Sequence, residues 1–142
     1  DFDLYISGGI MDAVESKKTI LIVDDDVDLL TQYEINLKAE GFDVLRAESQ
    51  EEAENILKDH KPDLVITDLM MESLDGGFSL SYYVKKIDPL LPVIIITGVT
   101  HELGFRFFTD KEEERNWIKA DAILNKPIRF EQLMKEINKH LK

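Results

Sequence analysis

At 142 residues, with a formal net charge of −12, 44% hydrophobic and 32% charged, the chain is long enough for one domain with a real core and too short for two ordinary ones. The acidic balance argues against direct nucleic acid binding, which rests on Lys and Arg, and the absence of cysteine excludes disulfides, thiol catalysis and thiolate metal sites. No apolar run reaches membrane-spanning length and Asp1–Tyr5 lacks the positive start of a signal peptide, so the expectation is a soluble cytoplasmic domain with no membrane contact.

Residues 1–17 show no clean period. Gly8 and Gly9 followed by Met11 read as a junction and a natural start. This segment is therefore expected to be an N-terminal tail or vector-derived, with one domain over 18–142. From there strand and helix patterns alternate. Thr19–Val23 is a continuous apolar run, the pattern of a strand buried on both faces. Leu30, Tyr33 and Leu37 follow at helical spacing, stopped near Gly41. Asp43–Ala47 is a second strand. Ser49 with Glu52 three residues on forms a capping box for a helix whose inward face is Ala53, Ile56 and Leu57. Asp63–Thr67 is a third strand, and Leu80, Val84 and Ile87 make the stripe of a third helix ended by Pro89. Pro92–Thr97 is a fourth strand. From Gly98 to Lys119 the pattern is irregular: Phe105, Phe107, Phe108 and Trp117 surround an acidic stretch, read as a loop and a short helix over 110–119. Asp121–Leu124 is a fifth strand, and Phe130, Leu133, Met134, Ile137 and Leu141 form the buried face of a last helix. The alternation predicts an α/β fold, a parallel sheet covered by helices on both faces and doubly wound through right-handed crossovers.

The chemistry gathers where the apolar runs stop. The first strand is followed by Asp24, Asp25 and Asp26, the third by Asp68; the fourth ends in Thr97, and the fifth leads through Asn125 to Lys126. In a parallel sheet these ends share one edge, where open α/β sheets bind ligands. Carboxylates held side by side repel and raise each other's pKa, and a hard, oxygen-only cluster suits Mg²⁺. Asp26 and Asp28 read as first-turn acids favoured by the helix dipole. Met70 and Met71 read as packing side chains, and Glu112–Glu114 as a solvated helix face. His60, His101 and His140 have no ligand-like spacing.

At these residues the chain resembles the receiver domain of two-component response regulators. The matching pieces are Ile20–Asp25 (ILIVDD), Pro62–Met71 (PDLVITDLMM), Leu74–Gly76 (LDG), Ile94–Gly98 (IIITG) and Leu124–Pro127 (LNKP). The resemblance implies a flavodoxin-like sheet of five parallel strands in order 2-1-3-4-5, flanked by five helices, as in chemotaxis regulators. It implies that Asp68 is the phosphoacceptor, attacking a phosphohistidine on a sensor histidine kinase or phosphotransfer protein. It implies Mg²⁺ held by Asp25, Asp68 and the backbone carbonyl of Met70, with Asp24 acting through a metal-bound water. Lys126 would neutralise a phosphoryl oxygen and Thr97 would hydrogen-bond the bound phosphoryl group, switching the surface around the fourth strand, the helix after it and the fifth strand. The output is an unnamed protein or domain, and the receiver is expected as a monomer or a phosphorylation-dependent dimer. It is expected to be a signalling switch that catalyses only its own phosphorylation and dephosphorylation, either stand-alone or cut from a longer protein.

Departures from the family pattern are local. The aromatic residue often found three positions before the lysine is Ile123 here, so the usual coupling of a threonine shift to an aromatic rotamer lacks its ring. Glu72 stands where the family has proline, and Gly76–Phe78 runs one residue long before the third helix. Phe105, Phe107, Phe108 and Trp117 are candidates for a substitute switch or docking surface, against the plainer reading of local core. Two other functions compete. A receiver-like binding module that is never phosphorylated is kept open by Glu72 and Ile123 and opposed by Asp68, Thr97 and Lys126. Asp24-x-Asp26 after a first strand also resembles haloacid-dehalogenase-like phosphatases, with Asp24 as nucleophile. That reading leaves Asp68 unexplained and lacks the acidic pair expected after Lys126.

Overall fold

A computed structural model describes residues 17–68, 76–98 and 120–141, with side chains in the middle stretch described from Leu80 onward. Five strands and four helices alternate: β1 Thr19–Val23, α1 Val27–Ala39, β2 Asp43–Ala47, α2 Gln50–Asp59, β3 Leu64–Asp68, α3 Gly76–Ile87, β4 Val93–Thr97, β5 Ala122–Asn125 and α4 Phe130–His140. All pairings are parallel, in the order β2-β1-β3-β4-β5. The predicted doubly wound sheet is therefore present in the predicted order. The helix expected over 110–119 and the aromatics Phe105, Phe107, Phe108 and Trp117 lie outside the described residues.

Alternate residues of the strands point to opposite faces, and each face has its own helices. Ile20, Ile22, Leu64, Ile66, Ile94 and Ile96 pack with Leu30 and Leu37 of α1 and Leu133 and Ile137 of α4. Leu21, Val23, Val65, Val93 and Ile95 pack with Ala53 and Leu57 of α2 and Leu80 and Val84 of α3. Each fully buried Leu or Ile contributes roughly 1.5–3 kcal/mol from removal from water, so the two layers together fix which way every strand end faces.

Local signals end the elements much as expected, with small shifts, among them β5, which runs Ala122–Asn125, one residue later than predicted. Gly41 takes φ 97° after α1, a left-handed conformation that glycine adopts without strain. Ser49 accepts from the Glu52 N–H at 3.1 Å, but the Glu52 carboxylate reaches back to the N–H of Glu48 rather than Ser49. β3 begins one residue later than predicted because Asp63 works as an end-piece. Its N–H donates to the Thr19 carbonyl at 2.7 Å and its carboxylate accepts the Thr19 N–H at 2.8 Å. β4 begins at Val93 because Pro92 has no N–H for the ladder, though its carbonyl still accepts from Val65. Ile87, expected inside, is 49% exposed: it falls in the last turn of α3 and lines an open groove with Leu57, Pro62 and Leu91. Among the described residues, no helix is long and apolar enough to cross a membrane.

Leu30 and Leu37 anchor α1 on the sheet with no exposure. Leu30→Ala should cost about 2–5 kcal/mol. Urea denaturation should show a lower midpoint with an unchanged slope, since the loss is one of packing and not of compactness.

Candidate functional site

The three consecutive acids after β1 have three different jobs. Asp24 is buried, and its Oδ1 accepts the Asp26 N–H at 2.9 Å. Its own N–H donates to the Ala47 carbonyl of β2 at 3.1 Å, which holds the strand end in place. Asp25 is exposed at the mouth. Asp26 is the N-cap of α1, its carboxylate accepting the Leu29 N–H at 3.2 Å; only Asp28 is a true first-turn acid. Caps of this kind are favoured at helix N-termini by the unpaired N–H groups there.

β3 lies beside β1 with Val23 opposite Thr67, so Asp68, the last residue of β3, arrives next to the β1 end. Carboxylate oxygens of Asp24, Asp25 and Asp68 lie within 4.8 Å of one another. This spacing brings three hard anionic oxygens to one point, a donor set that fits a small divalent cation such as Mg²⁺. Met70, predicted to add a backbone carbonyl, lies outside the described residues. Asp68 is almost fully buried, and Thr67 donates its hydroxyl proton to the Asp68 carbonyl at 3.0 Å.

The cation already present comes from the other side. β4 pairs with β3 with Asp68 opposite Ile96, and Thr97 follows as the buried last residue of β4. Beyond β5, the Lys126 N–H donates to the Thr97 carbonyl at 2.7 Å. The Lys126 ammonium stands 3.5 Å from Asp68 Oδ2 and 3.6 Å from Asp24 Oδ2. These distances exceed the roughly 2.7–2.9 Å of a tight charge-assisted bond. Lys126 thus bridges the two acids without closing on either. The Lys126–Pro127 peptide bond is cis.

Burial drives the Asp24 carboxyl above its ordinary value. The Asp26 N–H and Lys126 pull it back down, while the charges of Asp68 and Asp25 push it further up. Tyr33 of α1 is also raised, first by burial and then by the charges of Asp24 and Asp68. The sequence marked Tyr33 only as helix packing, yet it lies within the field of the site. Gly98, at the end of the matching piece Ile94–Gly98, lies beside the lysine stem: a Cβ there would meet the Lys126 side chain at 3.6 Å, an ordinary van der Waals contact. Of the predicted site residues, Asp24, Asp25, Asp68 and Lys126 are brought together. Thr97 ends the strand between β3 and β5. Ile123 is half-buried against the α2–α3 face, with no ring in the aromatic's usual place.

The raised Asp24 sets a pH dependence. In the metal-free protein the proton binds Asp24 more tightly in the folded chain than in the unfolded one. That contribution to stability is complete below the ordinary value of 3.8 and is lost as pH rises through the folded-state value. Above that window the ionised carboxylate opposes folding. Asp24→Asn, which keeps an acceptor for Asp26, should therefore be more stable than wild type in EDTA at pH 7, with the gap narrowing toward pH 4 in thermal melts.

The family model described as response regulator receiver domain matches residues 20–138. The transcriptional regulatory protein GlrR of Escherichia coli is 44% identical over 79 residues, covering 56% of this chain and 18% of that protein. The chain thus spans about a fifth of that relative's length. A CheY-like receiver domain protein of Methanospirillum hungatei superposes with a TM-score of 0.74 at 26% identity, covering 89% of this chain and 94% of the other. The response regulator TrrA of Thermotoga maritima, solved in complex with Mg²⁺-BeF, superposes with a TM-score of 0.72 at 27% identity, covering 87% and 99%.

Proposed function

The chain belongs to the response regulator receiver domain family, and on that premise we propose that it is a phosphoacceptor in which Asp68 takes a phosphoryl group from a phosphohistidine. The observation that carries this is the cluster itself: three carboxylates within 4.8 Å of one another and one lysine ammonium spanning two of them. The receiver corresponds to residues 18–142. The donor is a sensor histidine kinase or a phosphotransfer protein. The output is a further domain or protein, in keeping with relatives that are named transcriptional regulators.

Each side chain has a physical role. An Asp68 carboxylate oxygen attacks phosphorus, the P–N bond to the histidine breaks, and the imidazole leaves with its electron pair and takes up a proton. Asp24 is the poorer nucleophile, since one of its oxygens is tied to the Asp26 N–H. Lys126 places positive charge beside Asp68 and neutralises a phosphoryl oxygen as charge builds there. Thr97, ending the adjacent strand, offers a hydroxyl to the acquired phosphoryl group. Asp24, Asp25 and Asp68 would hold Mg²⁺, which supplies charge neutralisation for the phosphoryl oxygens and screens the carboxylates from them. The new contacts at Thr97 and Lys126 pull on the ends of β4 and β5, so the surface around these strands and the segment between them carries the signal. Chemistry of this kind serves a signalling switch, not a metabolic turnover.

Intact mass after incubation with acetyl phosphate tests the reading. Wild type should gain one phosphoryl group in Mg²⁺ and none in EDTA, and Asp68→Asn should gain none. A gain that survives in Asp68→Asn and disappears in Asp24→Asn would instead identify Asp24 as the nucleophile.

A further inference from the structure

At the other end of β5 from Lys126, a partly exposed polar clamp ties this strand to α3. The Asp121 N–H donates to the Val93 carbonyl at 2.8 Å, and its carboxylate accepts the Val93 N–H at 2.7 Å. The same Asp121 oxygen accepts from the Lys85 ammonium of α3 at 2.7 Å. Lys85 also donates to the Leu91 carbonyl at 2.7 Å, and its side chain is only 18% exposed. One lysine therefore holds the turn before β4 and the first residue before β5 together. Asp63 makes the same pair of hydrogen bonds to Thr19 just before β3.

β5 is four residues long and pairs only with β4 among the described strands. Lys126 follows it directly. The Lys126 ammonium stands 3.5–3.6 Å from Asp68 and Asp24, longer than a tight charge-assisted bond, so how closely it approaches them depends on where the backbone at the end of β5 places its stem. The ladder to β4 sets the register of this short strand, and Asp121 at one end and the Lys126 N–H at the other set how firmly its ends are held. Loosening the first lets β5 give slightly within that register and moves the stem of Lys126 with it.

We infer that Lys85 and Asp121 are positioning residues for the phosphoryl transfer, acting through Lys126 and not on the acidic cluster. The inference rests on the role given to Lys126 above. α3 follows the segment after Asp68, so the clamp also links the helix after the phosphoacceptor strand to the strand that presents the lysine.

The test is a double-mutant cycle on the full chain. Phosphorylation rate constants are measured by intact mass at saturating acetyl phosphate and Mg²⁺, and Mg²⁺ affinity by calorimetry. Lys85→Met and Asp121→Asn should each slow phosphorylation by about tenfold, the scale of a small misplacement of a reacting group. Lys85→Arg should recover most of the rate, and Mg²⁺ affinity should stay within about twofold, because the carboxylates sit on β1 and β3. In a Lys126→Ala background the Lys85 substitution should have no further effect. Equal slowing with and without Lys126, a parallel loss of Mg²⁺ affinity, or an unchanged rate in folded variants would overturn the inference. Should Lys85→Met not fold, Asp121→Asn, which keeps an acceptor for Val93, decides the question alone. Should Lys126→Ala react as fast as wild type, the role of Lys126 itself falls.

Discussion

The structure turns on one electrostatic constraint: three carboxylates brought to one point by two neighbouring parallel strands. Such an arrangement is unfavourable on its own, because like charges in a partly buried place repel and resist ionisation. Burial first, and then the charges of Asp68 and Asp25, push Asp24 above its ordinary value. Two kinds of cation relieve it. Lys126 is built in, and it stands far enough from each acid to bridge both without neutralising either. A divalent metal fits the remaining negative charge, and a phosphoryl group then arrives where opposite charge is already in place. Stability is given up at the site and recovered when it is loaded, the usual relation between functional sites and fold stability.

The rest of the fold supplies the rigidity that this arrangement needs. The core layers on the two faces of the sheet leave the strands no freedom to rotate, since a one-residue slip would exchange buried and facing side chains. The carboxylates of Asp63 and Asp121 close the strand starts on the edge opposite the site, and Lys85 extends the second closure to α3. The acidic edge thus does the chemistry while the opposite edge holds the strand starts.

Much of this is legible in the residues. β1, β3 and β4 are runs dominated by Ile, Leu and Val, the structure shifts strand limits by a residue at most, and the site residues follow the strand ends, so finding the strands finds the site. Other features need three dimensions. The sequence set Asp26 apart only as an acid at the start of α1; that Asp24 turns inward while Asp25 stays at the mouth follows from the turn between β1 and α1. Asp63 and Asp121 look like ordinary strand residues until their carboxylates are seen on the neighbouring strand. Lys85 and Asp121 are 36 positions apart, and no periodicity connects them. Ile87 matched the helical stripe, yet the stripe runs on past the strands that would cover it. The position of Ile123 was readable as a departure, and its half-buried place on the α2–α3 face shows the ring is replaced by aliphatic packing.

The most direct measurement of the central constraint is a Mg²⁺ titration of thermal stability at pH 7 and constant ionic strength, on wild type and Asp25→Asn. The account predicts a saturable rise in Tm for wild type, growing as RT ln(1 + [Mg²⁺]/Kd), and a much smaller rise when one of the three carboxylates is removed. An equal rise in both proteins, or none in wild type, would contradict it.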